Sequence, residues 1–141
     1  MPKSIFISLP VTDLARSTAF YEAIGFEKNP HLSNEQAASM MWSDTIAINL
    51  VGHAFYRTLT PKPIIDAHAT SGVLIALPFE SRAAVDAVTD AAIAAGGTEG
   101  HDPEDEGFMY SRAFADPDGH SFGPFWMDAD APAPMASAET P

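Results

Sequence analysis

Two short stretches of the chain alternate strictly between two kinds of position. In the first, Ile5, Ile7, Leu9 and Val11 interleave with Phe6, Ser8 and Pro10. In the second, Val73, Ile75, Leu77 and Phe79 interleave with Leu74, Ala76 and Pro78. Period-two alternation is the mark of a strand whose two faces meet different surroundings. The β-branched and leucine set is expected to pack on helices, and the mixed set to face elsewhere.

Each strand runs into a helical pattern. Asp13 is an N-cap candidate, Leu14, Tyr21 and Ile24 follow at helical spacing, and Gly25 ends the run. In the second stretch Ser81 caps, Val85, Val88, Ala92 and Ala95 form an apolar stripe, and Gly96-Gly97 ends it. These stripes are read as core. Three strands are expected after each helix, near 26–32, 37–43 and 45–51, then near 97–101, 108–115 and 120–127. The last two are joined by the turn Asp116-Pro117-Asp118-Gly119.

The same order of elements therefore occurs twice. Aligning Leu9 with Leu77 also places Pro10 on Pro78, Ile7 on Ile75 and Ala15 on Ala83. The pattern predicts an α+β fold of two tandem βαβββ modules, about 4–54 and 71–127, linked by a stretch from Phe55 to Thr70 that holds Pro61 and Pro63. Residues 1–127 form the expected domain. The Ala/Pro-rich segment 128–141 is an expected disordered tail.

Composition narrows the function classes. The 141 residues carry 7 basic and 19 acidic side chains, a formal net charge of −12, so nucleic acid is not an expected partner. There are no cysteines, which removes disulfides, thiolate ligands and cysteine nucleophiles. No apolar run has the length of a membrane span, and the N-terminus lacks a signal-peptide pattern, so a cytoplasmic location without membrane association is expected.

Two motifs, LPVTDLARSTAFYEAIGF at 9–26 and FADPDGHSF at 114–122, carry a family resemblance. The chain resembles the vicinal oxygen chelate superfamily, which includes glyoxalase I, extradiol dioxygenases and bleomycin-resistance proteins. The wording GFMYSRAFADPDGH…FWMD is similar to a bacterial branch labelled predicted lactoylglutathione lyase. The resemblance spans roughly residues 4–128 and implies that the two modules curl a mixed sheet into a cup for a small molecule. It also implies a homodimer.

In metal-dependent members the resemblance implies four strand-borne ligands of His, Gln or Glu type. Here those positions fall on Phe6, Asn49, Leu74 and Gly123. Three have no donor side chain and the amide of Asn49 is a weak one. No cofactor is therefore expected. The alternative is a lyase or dioxygenase with a divalent metal at a displaced site.

The five histidines, His31, His53, His68, His101 and His120, show neither helical i, i+4 nor H-x-H spacing, and His120 reads as turn-stabilising or exposed. The acidic run HDPEDEG at 101–107 is a solvated loop or a hard-cation loop without EF-hand spacing. A tight DPDG hairpin sets Ala115 against His120 and Arg112 against Gly123, which would turn Tyr110, Arg112 and Phe114 into the cup. Arg112 there would grip an anion, or with Tyr110 stabilise an oxyanion. It would otherwise pair with a nearby carboxylate. A one-residue slip would reverse its face. Phe6, Ser8, Asn49, Leu74, Tyr110, Arg112, Phe114, Ser121 and Phe125 are the candidate ligand-binding residues. Three functions stand open: a metal-free binding protein, an enzyme stabilising an oxyanion or enolate, and a protein that chiefly associates with a partner chain.

Overall fold

The computed structural model describes residues 2–130. The first module begins with strand β1 (Ile5–Val11) and helix α1 (Leu14–Ala23), then β2 (Glu27–Asn29), β3 (Ala37–Met41) and β4 (Ile46–Gly52). Its sheet has the order β1-β4-β3-β2, with β1 parallel to β4 and the rest antiparallel. Asp13 caps α1, its carboxylate accepting from the Arg16 N–H at 3.1 Å. Gly25 follows the helix at a φ of 106°, in the left-handed region that glycine enters without strain. The expected strand near 26–32 stops at Asn29, where Pro30 opens a 3-10 turn (Pro30–Leu32).

The second module repeats this plan. Strand β5 (Leu74–Phe79) leads into α3 (Arg82–Ala94), capped by Ser81, whose hydroxyl accepts from the Ala84 N–H. Between the modules lies an element absent from the expected link, helix α2 (His53–Leu59), with Pro61 and Pro63 beyond it. The final strand β10 (Ser121–Met127) runs parallel to β5 on one side. On its other side it is antiparallel to β8 (Met109–Ser111) and β9 (Phe114–Ala115). These are flanked by β7 (Glu104–Asp105) and β6 (Thr98–Glu99).

The single strand expected over 108–115 is thus two strands, and proline chemistry explains the break. The Arg112 N–H reaches the Pro124 carbonyl at 3.0 Å. Pro124 has no N–H to return the bond, so the ladder loses a rung there.

The two sheets turn their helix-bearing faces toward each other and share one core. Phe20 and Tyr21 of α1 meet Phe114 and Phe122 of the second sheet, with ring centroids 6.1 Å apart for Phe20–Phe114 and 5.8 Å for Tyr21–Phe122. Leu9 and Val11 join this core, as do Leu77, Val88 and Ala92. Beyond the exposed Ile5, the β-branched and leucine positions of β1 and β5 face the core as the alternation implies. The opposite, mixed faces of both sheets remain open, with Phe6 at 49% and Leu74 at 77% exposure.

Polar groups of the DPDG turn staple the modules. The Tyr21 hydroxyl donates to Asp116 Oδ2 at 2.7 Å. Asp118 accepts from the Thr12 N–H, the Thr12 hydroxyl and the Ser17 hydroxyl. His120 Nε2 lies 2.7 Å from the Pro10 carbonyl and, carrying the proton, donates to it. His120 is buried, so its role is in the turn and in the module contact, not at the surface. Residues 128–130 of the expected tail form a turn, with the Asp128 N–H on the Phe108 carbonyl. The remainder of that tail, 131–141, lies outside the described residues. No helix among the described residues is long and apolar enough to cross a membrane.

Candidate functional site

Strand register decides which side chains reach the open faces. In the first sheet Ser8 lies opposite Asn49, and Asn49 opposite Ser39. These three form a polar row across β1, β4 and β3, since neighbouring strands place opposed side chains on the same face. The row floors a cavity of about 370 Å³. Phe6 and Val51 extend the floor, and Leu32, Phe55 and Leu59 form apolar walls. Phe55 and Leu59 come from α2. Their i, i+4 spacing is the sequence signal for a short helix over the pocket, which ends before Pro61 and Pro63.

On the second sheet the open face is built from Leu74 and Ala76 of β5, Ser121 and Gly123 of β10, and Ala113 and Ala115. It is a shallow apolar floor of small side chains, with His101 at its margin. Phe125 shares the strand parity of Gly123 and pairs with Ser111. Trp126, on the other face, stacks under the Arg82 guanidinium at 4.5 Å. Phe6, Ser8, Asn49, Leu74, Ser121 and Phe125 therefore stand on open faces.

Three candidate residues do not. The hairpin pairs Ser121 with Ala115 and Phe122 with Phe114, one residue out of the expected register. The buried hydrogen bonds of the Asp116 side chain to the Asp118 and His120 N–H groups widen the turn and set this slip. Phe114 consequently lies in the shared core at 1% exposure. Arg112 turns to α3 and the neighbouring strand, bonding Asp86 at 3.0 Å, Asp90 at 3.3 Å and Glu99 at 2.7 Å. Tyr110 donates to Asp86 at 2.6 Å. Burial works against the Arg112 charge, but hydrogen bonds to Glu99 and Asp86 outweigh it and raise its pKa. The hydrogen bond from Tyr110 is the main cause that lowers the Asp86 pKa, and the same bond raises that of Tyr110. Neither residue is placed to stabilise an oxyanion in the cup.

Arg112→Met should cost about 1–2 kcal/mol, because a mostly buried stem keeps its packing while three partly exposed carboxylates lose their cation. It should leave small-molecule binding unchanged. Urea unfolding and ligand titration of the variant check both, and lost binding at unchanged stability would return Arg112 to the site.

The four positions that the resemblance implies for metal ligands, Phe6, Asn49, Leu74 and Gly123, all stand on open faces. Their donor set does not fit a transition metal. Phenyl, isobutyl and hydrogen substituents offer no lone pair, and one amide oxygen does not hold a dication that wants several convergent donors. Among the described residues no group of three or more His, Asp or Glu side chains is placed to hold a metal ion elsewhere.

Paired βαβββ modules, each with an open face beside a covered one, define an α+β class of fold. The chain belongs to the glyoxalase/bleomycin resistance protein/dioxygenase superfamily, whose family model matches residues 5–123. No curated protein matches the chain at a significant level. Among solved structures it is similar to hypothetical protein SA1046 from S. aureus, with 24% identity, a TM-score of 0.76, and 89% of this chain and 94% of that one covered. It is similar to a glyoxalase/bleomycin resistance protein/dioxygenase family enzyme from Burkholderia phytofirmans PsJN, at 18% identity and TM-score 0.76, covering 89% and 99%. It is also similar to a bleomycin resistance determinant encoded on transposon Tn5, at 19% identity and TM-score 0.61, covering 90% and 99%. At these identities the likeness shows the fold alone.

Proposed function

We propose that this protein binds a small molecule, without a metal, in a cup completed by a second copy of the chain. The observation that carries the reading is the way the modules pack. Their helix-bearing faces are used up in one shared core, so the two open faces do not close on each other within the chain. Each is half a cup.

A second copy fits the missing half. The exposed apolar pairs Ile5-Phe6, at the start of β1, and Val73-Leu74, at the entry to β5, occupy equivalent places in the two modules. The first module of one copy therefore matches the second module of another, and a two-fold axis repeats the contact in reverse. The free outer edges of β1 and β5 gain cover in the same step. Binding without metal is supported by the donor set at Phe6, Asn49, Leu74 and Gly123.

Fragment screening by amide-resolved NMR tests the reading. Hits should shift Ser8, Asn49 and Gly123 together and be insensitive to EDTA. Added Ni²⁺ or Zn²⁺ should not raise the melting temperature, because an ion bound only by the native state would stabilise it. Binding that appears only with metal and vanishes in chelator would overturn the metal-free reading.

A further inference from the structure

The first half-cup contains a polar atom that the fold itself does not use. Ser39 is 2% exposed, and its Oγ is buried with no hydrogen-bond partner among the described residues. A hydroxyl in that state costs free energy, and native structures keep few of them. Its own backbone is well served, since the Ser39 N–H donates to Ser33 Oγ at 3.0 Å. The side chain lines the cavity beside Asn49 and Ser8. The unpaired group thus sits at the deep end of a row whose other members are an amide and a second hydroxyl.

The rest of the cavity is as informative. Among the described residues, no Asp, Glu, Lys, Arg or His side chain lines this pocket. The small-residue face of the second module adds only His101 at its margin and Glu99, whose carboxylate is held by Arg112 at 2.7 Å. A carboxylate, phosphate or ammonium ligand would be buried here with no counter-charge, which apolar surroundings penalise heavily. An uncharged group meets no such penalty. The amide of Asn49 and the two hydroxyls each both donate and accept, so they match a group that does the same.

Resting on the cup reading above, we infer that the ligand is an uncharged molecule with an apolar, ring-sized body and one donor–acceptor head of carboxamide, lactam or phenol type, the head seated on Ser39, Asn49 and Ser8. Phe6 on the floor and the walls of Leu32, Phe55 and Leu59 take the body. The volume of about 370 Å³ lies at the small end of the range for ligand pockets.

Three probes of one shape and different charge test this: benzamide, benzoate and benzylamine, titrated at neutral pH by amide-resolved NMR. Benzamide is expected to shift Ser8, Ser39 and Asn49 and to bind at least about tenfold tighter than either charged probe. Ser39→Ala should weaken benzamide about threefold to tenfold, the range for one neutral hydrogen bond. It should leave the melting temperature unchanged or raise it, because it deletes an unsatisfied group. Asn49→Leu should weaken benzamide in the same direction. A lower melting temperature in Ser39→Ala, with benzamide affinity intact, would make the hydroxyl structural and overturn the inference. Benzoate or benzylamine binding as tightly as benzamide would overturn the uncharged class and leave the cup standing. Shifts from none of the three at millimolar concentration would overturn both.

Discussion

Asp116→Ala is expected to destabilise the protein by about 3 kcal/mol or more, with a fall in melting temperature on the order of 10 °C. Asp116 is 2% exposed and serves three donors at once. They are the Tyr21 hydroxyl at 2.7 Å and the N–H groups of Asp118 and His120, each at 2.9 Å. Alanine leaves all three unsatisfied, and each buried orphan costs about 1–3 kcal/mol. Tyr21 itself is fully buried between the modules, so its hydroxyl has no water to turn to. Glu106→Ala, in the exposed acidic loop, should by contrast stay within about 0.5 kcal/mol. Chemical denaturation of the two variants side by side checks the contrast.

The same residue sets a pH dependence whose sign follows from its surroundings. Burial raises the Asp116 pKa, and this outweighs the opposing effects of His120 and of the Tyr21 hydrogen bond. The folded protein therefore holds a proton at a pH where the unfolded chain, with an aspartate pKa of about 3.9, has released it. The stability from this group is fully present below about pH 3.9 and is lost as pH rises through the folded-state value. Asp116→Asn removes the titration and keeps an acceptor, so it should cost less than alanine. Relative to Asp116→Asn, the native protein should gain stability as pH falls toward about 4. A relative loss on acidification would show that the carboxylate form is the one the fold holds.

The DPDG motif shows how far the sequence could be read. Its spacing identified a turn and a family, and the alternation in Ile5–Val11 and Val73–Phe79 placed the core face of both strands. Local signals of that kind act within a few residues, so Asp13, Ser81, Gly25 and Gly96 also mark helix ends where expected. The errors arise where a distant residue decides. The hairpin register depends on the hydrogen bonds inside the Asp116 turn, and a slip of one residue carried Tyr110, Arg112 and Phe114 from the cup to the covered face. The break in the strand over 108–115 depends on Pro124, on the partner strand. The polar row depends on Ser39 standing opposite Asn49, a pairing between two strands that neither segment announces alone. Asn49, Phe6 and Ser8 were legible as open-face positions from the repeat and the resemblance, whereas Ser39 had no local signal.

Leu74→Glu should convert a dimer into a monomer without weakening the fold, and this separation is the sharpest test of the composite cup. Leu74 is 77% exposed, so a glutamate there meets water in the single chain and costs little. In the proposed dimer the same position would be covered by the first module of the second copy, where an unpaired carboxylate would be buried. The chain already carries a net charge of −12, so two added negative charges facing each copy's partner also act against association. Light scattering should give twice 15.0 kDa for the native protein and 15.0 kDa for the variant at micromolar concentration. The variant should retain its melting temperature at high dilution, where the native protein is monomeric too. It should lose ligand shifts at Gly123 while Ser8 and Asn49 still respond weakly, because each open face is then only half of the site. A native protein of 15.0 kDa across that range, or a Leu74→Glu variant that stays dimeric, would mean that the open faces meet something other than a second copy of this chain.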